Sequence, residues 1–112
     1  AQIILVGPVP QWQPSLPNTI AKRHFDPKER TFYDPSFVLE LFNVNNKLKQ
    51  TYKDSEILHI SLLDNLCEEN RCLAKVDHQN TPLVWDYGHL SLEGSVFVVD
   101  NILKQEIKKF LN

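Results

Sequence analysis

The hydrophobic pattern begins with a short, unbroken apolar run near the amino terminus. Residues 2–6 are mostly β-branched and aliphatic, and Gly7-Pro8 ends the run. Such a run is typical of a strand buried on both faces, as in a parallel sheet. Residues 8–35 then contain six of the seven prolines and show neither helical nor alternating periodicity. The pattern predicts a first strand over 2–6 followed by a long surface loop.

A helical period starts after the proline-rich segment. Asp34 is a favoured N-cap, Pro35 suits the first helical position, and apolar residues follow at helical spacing up to Tyr52. We therefore expect a helix over about 35–52. The short apolar run at 56–60 predicts a second strand. The order strand, helix, strand is typical of parallel pairing with a right-handed crossover.

The last part of the chain has a polar stretch followed by an amphipathic one. Residues 61–81 are polar and irregular and hold both cysteines, and a short apolar segment follows at 82–85. Ser91 is a suitable N-cap, and lysines near the chain end favour a helix because they lie at the negative end of its dipole. The pattern predicts a C-terminal helix of about 20 residues with one apolar stripe. That stripe consists of Leu92, Val96, Val99, Leu103, Ile107 and Phe110.

Composition indicates one small domain and excludes several functions. The 112 residues are 42% hydrophobic and 23% charged, with a formal net charge of -2. The absence of any long run of like charges argues against a nucleic-acid partner. No apolar run is long enough for a membrane-spanning helix, and no stretch resembles the basic and apolar start of a signal peptide, so we expect a soluble fragment. Because the first residue is Ala1 rather than Met, we also expect a piece of a longer protein.

The stretch from Asp86 to Ser91 carries the most specific candidate chemistry. It lies between a predicted strand end and a predicted helix start, where catalytic groups of open α/β sheets collect. With Gly88 allowing the turn, the carboxylate of Asp86 can lie beside one ring nitrogen of His89, three residues later. The other nitrogen would then act as a general base, as in a hydrolytic triad. The alternative is that Asp86 and Ser91 only cap a turn and a helix, and that His89 is an ordinary loop residue.

Cys67 and Cys72 form the second candidate feature. They enclose four residues, and a loop of that size can close into a disulfide if the backbone turns. In an oxidising compartment the bond would hold a polar loop that has few apolar contacts. The alternatives are two free thiols, a redox pair, which the spacing disfavours, and a zinc site with His78 and His89. The spacing of these four residues is irregular for zinc, so we predict the disulfide.

The string VWDYGHLSLEG at 84–94 resembles the last conserved block of SGNH hydrolases, which reads Asp-x-x-His-Leu-Ser-x-x-Gly. It is most similar to the SGNH domain fused to multi-pass membrane acyltransferases that O-acetylate lipopolysaccharide and other bacterial surface glycans. A strand that ends in Val-Gly-Pro-Val-Pro at 6–10 also matches, as do Leu66-Cys67 and the later Cys72. The resemblance covers most of the chain, and the terminal block is its most specific part.

The resemblance implies an α/β fold, in which residues 1–112 are the C-terminal part of a flavodoxin-like, three-layer SGNH domain with parallel strands. It implies that Asp86 and His89 are the acid and base members of a triad. The parent protein would be an acyltransferase at the periplasmic face of the bacterial inner membrane. There a membrane acyltransferase domain would deliver acyl groups, which pass to a glycan hydroxyl through an acyl-serine. No cofactor, metal or nucleic acid is expected.

The chain departs from the family pattern because the nucleophile block is missing. No Gly-Asp-Ser, Gly-x-Asn-Asp or Gly-x-Ser-x-Gly sequence occurs. The serine and most oxyanion donors would therefore lie upstream of Ala1, and we expect the fragment to be inactive alone. Ser91 is a poor nucleophile candidate because its hydroxyl suits the helix N-terminus. The alternative functions are a carbohydrate esterase of the same family and a noncatalytic binding module.

Overall fold

The computed structural model describes residues 2–33, 38–69 and 71–112, in which short strands alternate with helices. The strands are Ile4–Val6 (β1), Thr31–Tyr33 (β2), Leu58–Ile60 (β3), Cys67–Glu68 (β4) and Arg71–Leu73 (β5). The helices are Leu16–Arg23 (α1), Val38–Thr51 (α2), Leu62–Leu66 (α3), Leu92–Val98 (α4) and Lys104–Leu111 (α5), and a π-helical segment, Val99–Leu103, joins the last two.

The two predicted strands pair with each other in parallel. β1 lies beside β3, with Ile4 opposite Leu58 and Val6 opposite Ile60. This pairing confirms the parallel strands and the α/β class, although the strands start later than predicted, at residues 4 and 58. The prediction that the first strand is buried on both faces is wrong, because Val6 is 42% exposed. In the described part of the chain this sheet has two strands, so β1 has no neighbour on its other edge.

The proline-rich segment is not the irregular loop that its composition predicts. It contains α1, where a proline occupies the first turn and so removes an N–H that would have no helical partner. Leu16 and Ile20 lie one turn apart on the buried face. The segment also contains β2, which pairs antiparallel with β5. A helix of eight residues and a strand paired with distant residues leave little local periodicity for a sequence pattern to show.

The polar stretch at 61–81 also contains regular structure, contrary to the prediction. α3 begins at once after β3, and its N-cap Ser61 accepts a hydrogen bond from the Asp64 N–H at 3.0 Å. β4 and β5 then form an antiparallel hairpin in which Cys67 faces Cys72. Each element has five residues or fewer, which is too short for a recognisable period.

The predicted helix over 35–52 is confirmed where it is described, as α2, whereas Asp34 and Pro35 lie outside the described residues. A polar network ties this helix to α3. Asn45 is buried on α2, donates to Asp64 Oδ1 at 2.9 Å and accepts from the Ser61 hydroxyl at 2.6 Å. Burial of the amide is tolerated because both ends of its side chain have partners.

The predicted C-terminal helix is confirmed as one helical stretch from Leu92 to Leu111, but its predicted apolar stripe is only partly buried. Leu92, Val96 and Val99 are exposed, whereas Val98 and Ile102 are buried. The π-helical segment explains the difference, because each wider turn holds about one extra residue and rotates the packed face. Two later stripe residues, Leu103 at the end of this segment and Ile107 beyond it, pack against the core.

The hydrophobic core gathers side chains from most elements, among them Trp12, Leu16, Phe32, Leu83 and Val84. Leu83 and Val84 are fully buried immediately before the candidate site turn, so that turn starts from a fixed segment.

Lys75 is a charged residue inside this core. Its side chain is fully buried, and its ammonium group donates hydrogen bonds to the backbone carbonyls of His24 and Asp26. It also lies 5.4 Å from the centre of the Phe32 ring. Burial lowers the pKa of Lys75, while the nearby charges of Glu29 and Asp26 act in the opposite direction. The buried amine thus ties the loop after α1 to the segment that follows β5.

Candidate active site

The candidate site is a tight turn between the buried segment 82–84 and the start of α4. The chain folds back on itself, because Val84 and Leu90 form an antiparallel bridge. Inside the turn, the Trp85 N–H donates to the His89 carbonyl at 3.0 Å. These backbone contacts close the turn locally and bring the predicted site residues together.

Two backbone hydrogen bonds fix the turn from outside. The N–H groups of Trp12 and Leu16 donate to the carbonyls of Tyr87 and Asp86, at 2.9 and 3.0 Å. Both donors are buried in the core. The turn is therefore held by the segment that runs from β1 to α1, which belongs to the region predicted to be a long surface loop.

Asp86 uses its carboxylate to organise the turn. Oδ1 accepts the backbone N–H groups of Gly88 at 2.9 Å and His89 at 2.7 Å, and Oδ2 lies 2.6 Å from His89 Nδ1. The His89 backbone N–H is the main cause that lowers the pKa of Asp86 to about 2, and the Gly88 N–H and the imidazole add to it against an opposing effect of burial. Asp86 is therefore a carboxylate at neutral pH.

His89 presents its ring to solvent. Its side chain is 78% exposed, and Nε2 has no hydrogen-bond partner among the described residues. The carboxylate beside Nδ1 favours the proton on that nitrogen, which leaves Nε2 as the basic one. On its other flank the ring stacks with Trp85, at 5.9 Å between ring centres and 25° between planes. The arrangement can take a proton from a hydroxyl brought to Nε2 and can return it.

Gly88 does not play the conformational part that the spacing predicts. No described glycine has a positive φ, so the turn does not need glycine for its backbone conformation. A Cβ at Gly88 would lie 2.9 Å from Cγ of the Gln11 side chain, which is flexible. By contrast, a Cβ at Gly94 would lie 2.0 Å from the Leu83 carbonyl oxygen. The glycine that the site requires is therefore Gly94, which lets α4 pack against the buried segment before the turn.

Ser91 confirms the predicted helix cap. Its hydroxyl accepts the Gly94 N–H at 2.8 Å and donates to the Pro82 carbonyl at 2.7 Å. The residue is buried, and both roles of its hydroxyl are occupied. Ser91 is therefore not available as the nucleophile for His89.

Comparison with known proteins identifies the family of this chain. A family model described as an SGNH domain fused to AT3 domains matches residues 1–104. The chain belongs to this family. It is thus the SGNH portion of proteins that also carry AT3 acyltransferase domains, as the resemblance of the terminal block implied. No curated protein and no solved structure matches the chain significantly.

The two cysteines of this SGNH domain lie opposite each other in the β4–β5 hairpin. Their Sγ atoms are 2.06 Å apart, so the structure contains a disulfide. The alternative zinc site is not assembled: His78 lies near the Pro27 carbonyl, at 3.4 Å. Within the ranges that the structure describes, no three His, Cys, Asp or Glu side chains are grouped to hold a metal.

Across residues 2–33, 38–69 and 71–112, no helix of this SGNH domain is both long and apolar enough to cross a membrane.

Proposed function

We propose that this SGNH domain is the periplasmic catalytic portion of an O-acyltransferase that passes acetyl groups to a hydroxyl of a surface glycan. The main support for this proposal is the contact between His89 Nδ1 and Asp86 Oδ2 at 2.6 Å, with the imidazole ring otherwise exposed. Family membership adds the AT3 acyltransferase domains, which would supply the acyl group from the membrane side.

In this proposal His89 moves protons at Nε2 in both halves of the reaction. It first takes the proton of a serine hydroxyl while that oxygen attacks the acyl carbon of the donor, and it then protonates the leaving group. The acyl-serine ester remains. Next, Nε2 takes the proton of a glycan hydroxyl, whose oxygen attacks the acyl carbon, and returns the proton to the departing serine. The products are the acylated glycan and free serine.

Asp86 supports both halves without changing its charge. Its pKa of about 2 keeps it ionised, so it can stabilise the imidazolium that forms whenever Nε2 holds the transferred proton. The same carboxylate fixes the backbone of the turn. We infer that Asp86 orients and stabilises the base and does not itself take the proton.

The nucleophilic serine would come from a segment outside these 112 residues. The chain contains no Gly-Asp-Ser block, and Ser91 is engaged in capping α4. Residues 1–112 would accordingly form the C-terminal portion of a single SGNH domain. In this proposal the portion alone is inactive and becomes catalytic when the nucleophile-bearing portion places its hydroxyl beside Nε2.

Replacement of His89 in the intact acyltransferase tests the proposal. We expect His89→Ala to lower glycan acetylation by about 10²-fold to 10⁴-fold, as measured by mass spectrometry of the surface glycan. His78→Ala is the matched control, since His78 is also exposed but lies outside the site turn. Full acetylation by the His89 variant would refute the assignment. If acetate is released in a His89-dependent reaction and added glycan acceptor does not reduce the amount released, the enzyme is instead an esterase.

A further inference from the structure

Two exposed aromatic side chains flank Asp86 in the site turn. Trp85 is 61% exposed and Tyr87 is 57% exposed, although Val84 immediately before them is fully buried. Among the described residues, the other strongly exposed aromatic side chains are Phe25 and Tyr33. Half of the exposed aromatic side chains are therefore concentrated beside the acid–base pair, where they contribute little to the core.

The backbone of this aromatic pair is fixed before any ligand binds. The Trp85 N–H donates to the His89 carbonyl at 3.0 Å, and the Tyr87 carbonyl accepts from the buried Trp12 at 2.9 Å. The Trp85 ring also rests beside the His89 ring. A surface that is already ordered loses less conformational entropy when it binds a ligand.

The chemistry of the turn favours a neutral, ring-shaped polyol. Aromatic faces carry partial negative charge, which attracts the slightly positive C–H groups on the face of a sugar ring. The ionised carboxylate of Asp86 lies between the two aromatic residues and disfavours an anionic ligand. The centres of the Trp85 and His89 rings are 5.9 Å apart, so a sugar that contacts the indole lies next to the acid–base pair.

We propose that Trp85 and Tyr87 form an aromatic platform that binds a pyranose ring of a neutral glycan, with Trp85 as the main stacking surface. This inference relies on the proposed function for the role of that glycan as the acyl acceptor. The platform positions an acceptor hydroxyl for the basic nitrogen of His89 and selects against negatively charged acceptors.

Binding is measured apart from catalysis, by ¹H–¹⁵N NMR titration of the intact acyltransferase in detergent micelles, without an acyl donor, with cellotetraose and chitotetraose up to about 10 mM. We expect saturable shifts of the Tyr87, Gly88 and His89 amide signals with at least one of these probes. Trp85→Ala should raise the dissociation constant about tenfold or more, whereas Trp85→Tyr should largely retain binding because it keeps an aromatic face.

Two controls make the result specific. Phe25→Ala removes a similarly exposed aromatic side chain from another segment and should leave the dissociation constant unchanged. His89→Ala should keep binding, so lost acetyl transfer with retained binding separates the platform from the catalytic proposal. The platform is refuted if neither probe shifts the site amides, or if Trp85→Ala binds as tightly as Phe25→Ala. Failure of the titration with an active, His89-dependent enzyme would overturn the platform alone.

Discussion

Asp86 closes the site turn with one carboxylate oxygen and contacts the imidazole of His89 with the other. Oδ1 accepts two backbone N–H groups, from Gly88 and His89, and Oδ2 lies 2.6 Å from His89 Nδ1. The carboxylate cannot rotate freely to release the ring, because its first oxygen is already held by the backbone. The orientation of the base is thus coupled to the conformation of four consecutive residues.

Asp86→Asn should separate these two tasks. The amide oxygen can still accept the N–H groups of Gly88 and His89, but an uncharged amide cannot stabilise the imidazolium. We expect acetyl transfer by the intact enzyme to fall by about 10²-fold to 10⁴-fold, while the circular dichroism spectrum remains close to that of the unaltered chain. Wild-type activity in Asp86→Asn would contradict the assigned role of the carboxylate.

The ionisation of Asp86 predicts the pH range in which acid reduces the stability of the folded chain. Its pKa in the folded chain, about 2, is below the 3.8 of an unperturbed aspartate, so the unfolded state binds the proton more readily. The resulting stabilisation is complete above about pH 4 and is lost as the pH falls through about 2. An NMR titration of the Asp86 carboxyl carbon checks this, and a midpoint near 3.8 would contradict it. If activity falls with decreasing pH at any pH above about 4, the protonation of a group other than Asp86 should cause that fall.

Gly94→Ala should be strongly destabilising for a substitution that adds one methyl group. Alanine normally favours a helix by about 1 kcal/mol over glycine, but here its Cβ would lie 2.0 Å from the Leu83 carbonyl oxygen. We expect a net loss of about 2 kcal/mol in the free energy of unfolding, measured with urea.

Gly88→Ala is the matched control for this prediction. Its Cβ would meet only the flexible side chain of Gln11, so the loss should stay below about 1 kcal/mol. Equal stability of the two variants would show that α4 does not pack against Leu83 as closely as described.

The Cys67–Cys72 disulfide should be detectable chemically and should stabilise the chain. Thiol titration of the denatured, unreduced protein from an oxidising compartment should find no reactive thiol, and two after reduction. For a loop this short, reduction should lower the free energy of unfolding by about 2 kcal/mol. The stability of the Cys67→Ser/Cys72→Ser double variant should not respond to reductant. Two reactive thiols before reduction would disprove the disulfide.

The sequence predicted those features whose causes lie close together in the chain. The Ser91 cap depends on a partner three residues away, and residue type and position predicted it. The Asp86 to His89 contact is equally local, but spacing alone left an ordinary loop as the alternative, and the resemblance of the terminal block favoured the contact. The sequence identified Gly94 only as part of the terminal block. A glycine is needed there because of the Leu83 carbonyl, which is distant in the sequence. The close contact, and hence the role of the glycine, can be recognised only from the three-dimensional structure.

Features that depend on distant partners were missed. β2 is recognisable only through its pairing with β5, forty residues later, as Phe32 opposes Cys72. The apolar stripe of the last helix was misplaced because the π-helical segment Val99–Leu103 changes the phase of the helix midway. The residues of that segment contain no recognisable signal for a π-helical turn. The prediction therefore assumed a constant helical period along residues 92–111, which is wrong.

Because the amine of Lys75 is buried, its chemical reactivity reports local opening of this domain. An amine-reactive reagent reaches exposed lysines such as Lys22 and Lys53 in the folded chain, but Lys75 is shielded while it binds the carbonyls of His24 and Asp26. Labelling of Lys75 therefore requires the loop after α1 to detach. Mass spectrometry of the labelled peptides would time that event in the native protein, without any substitution.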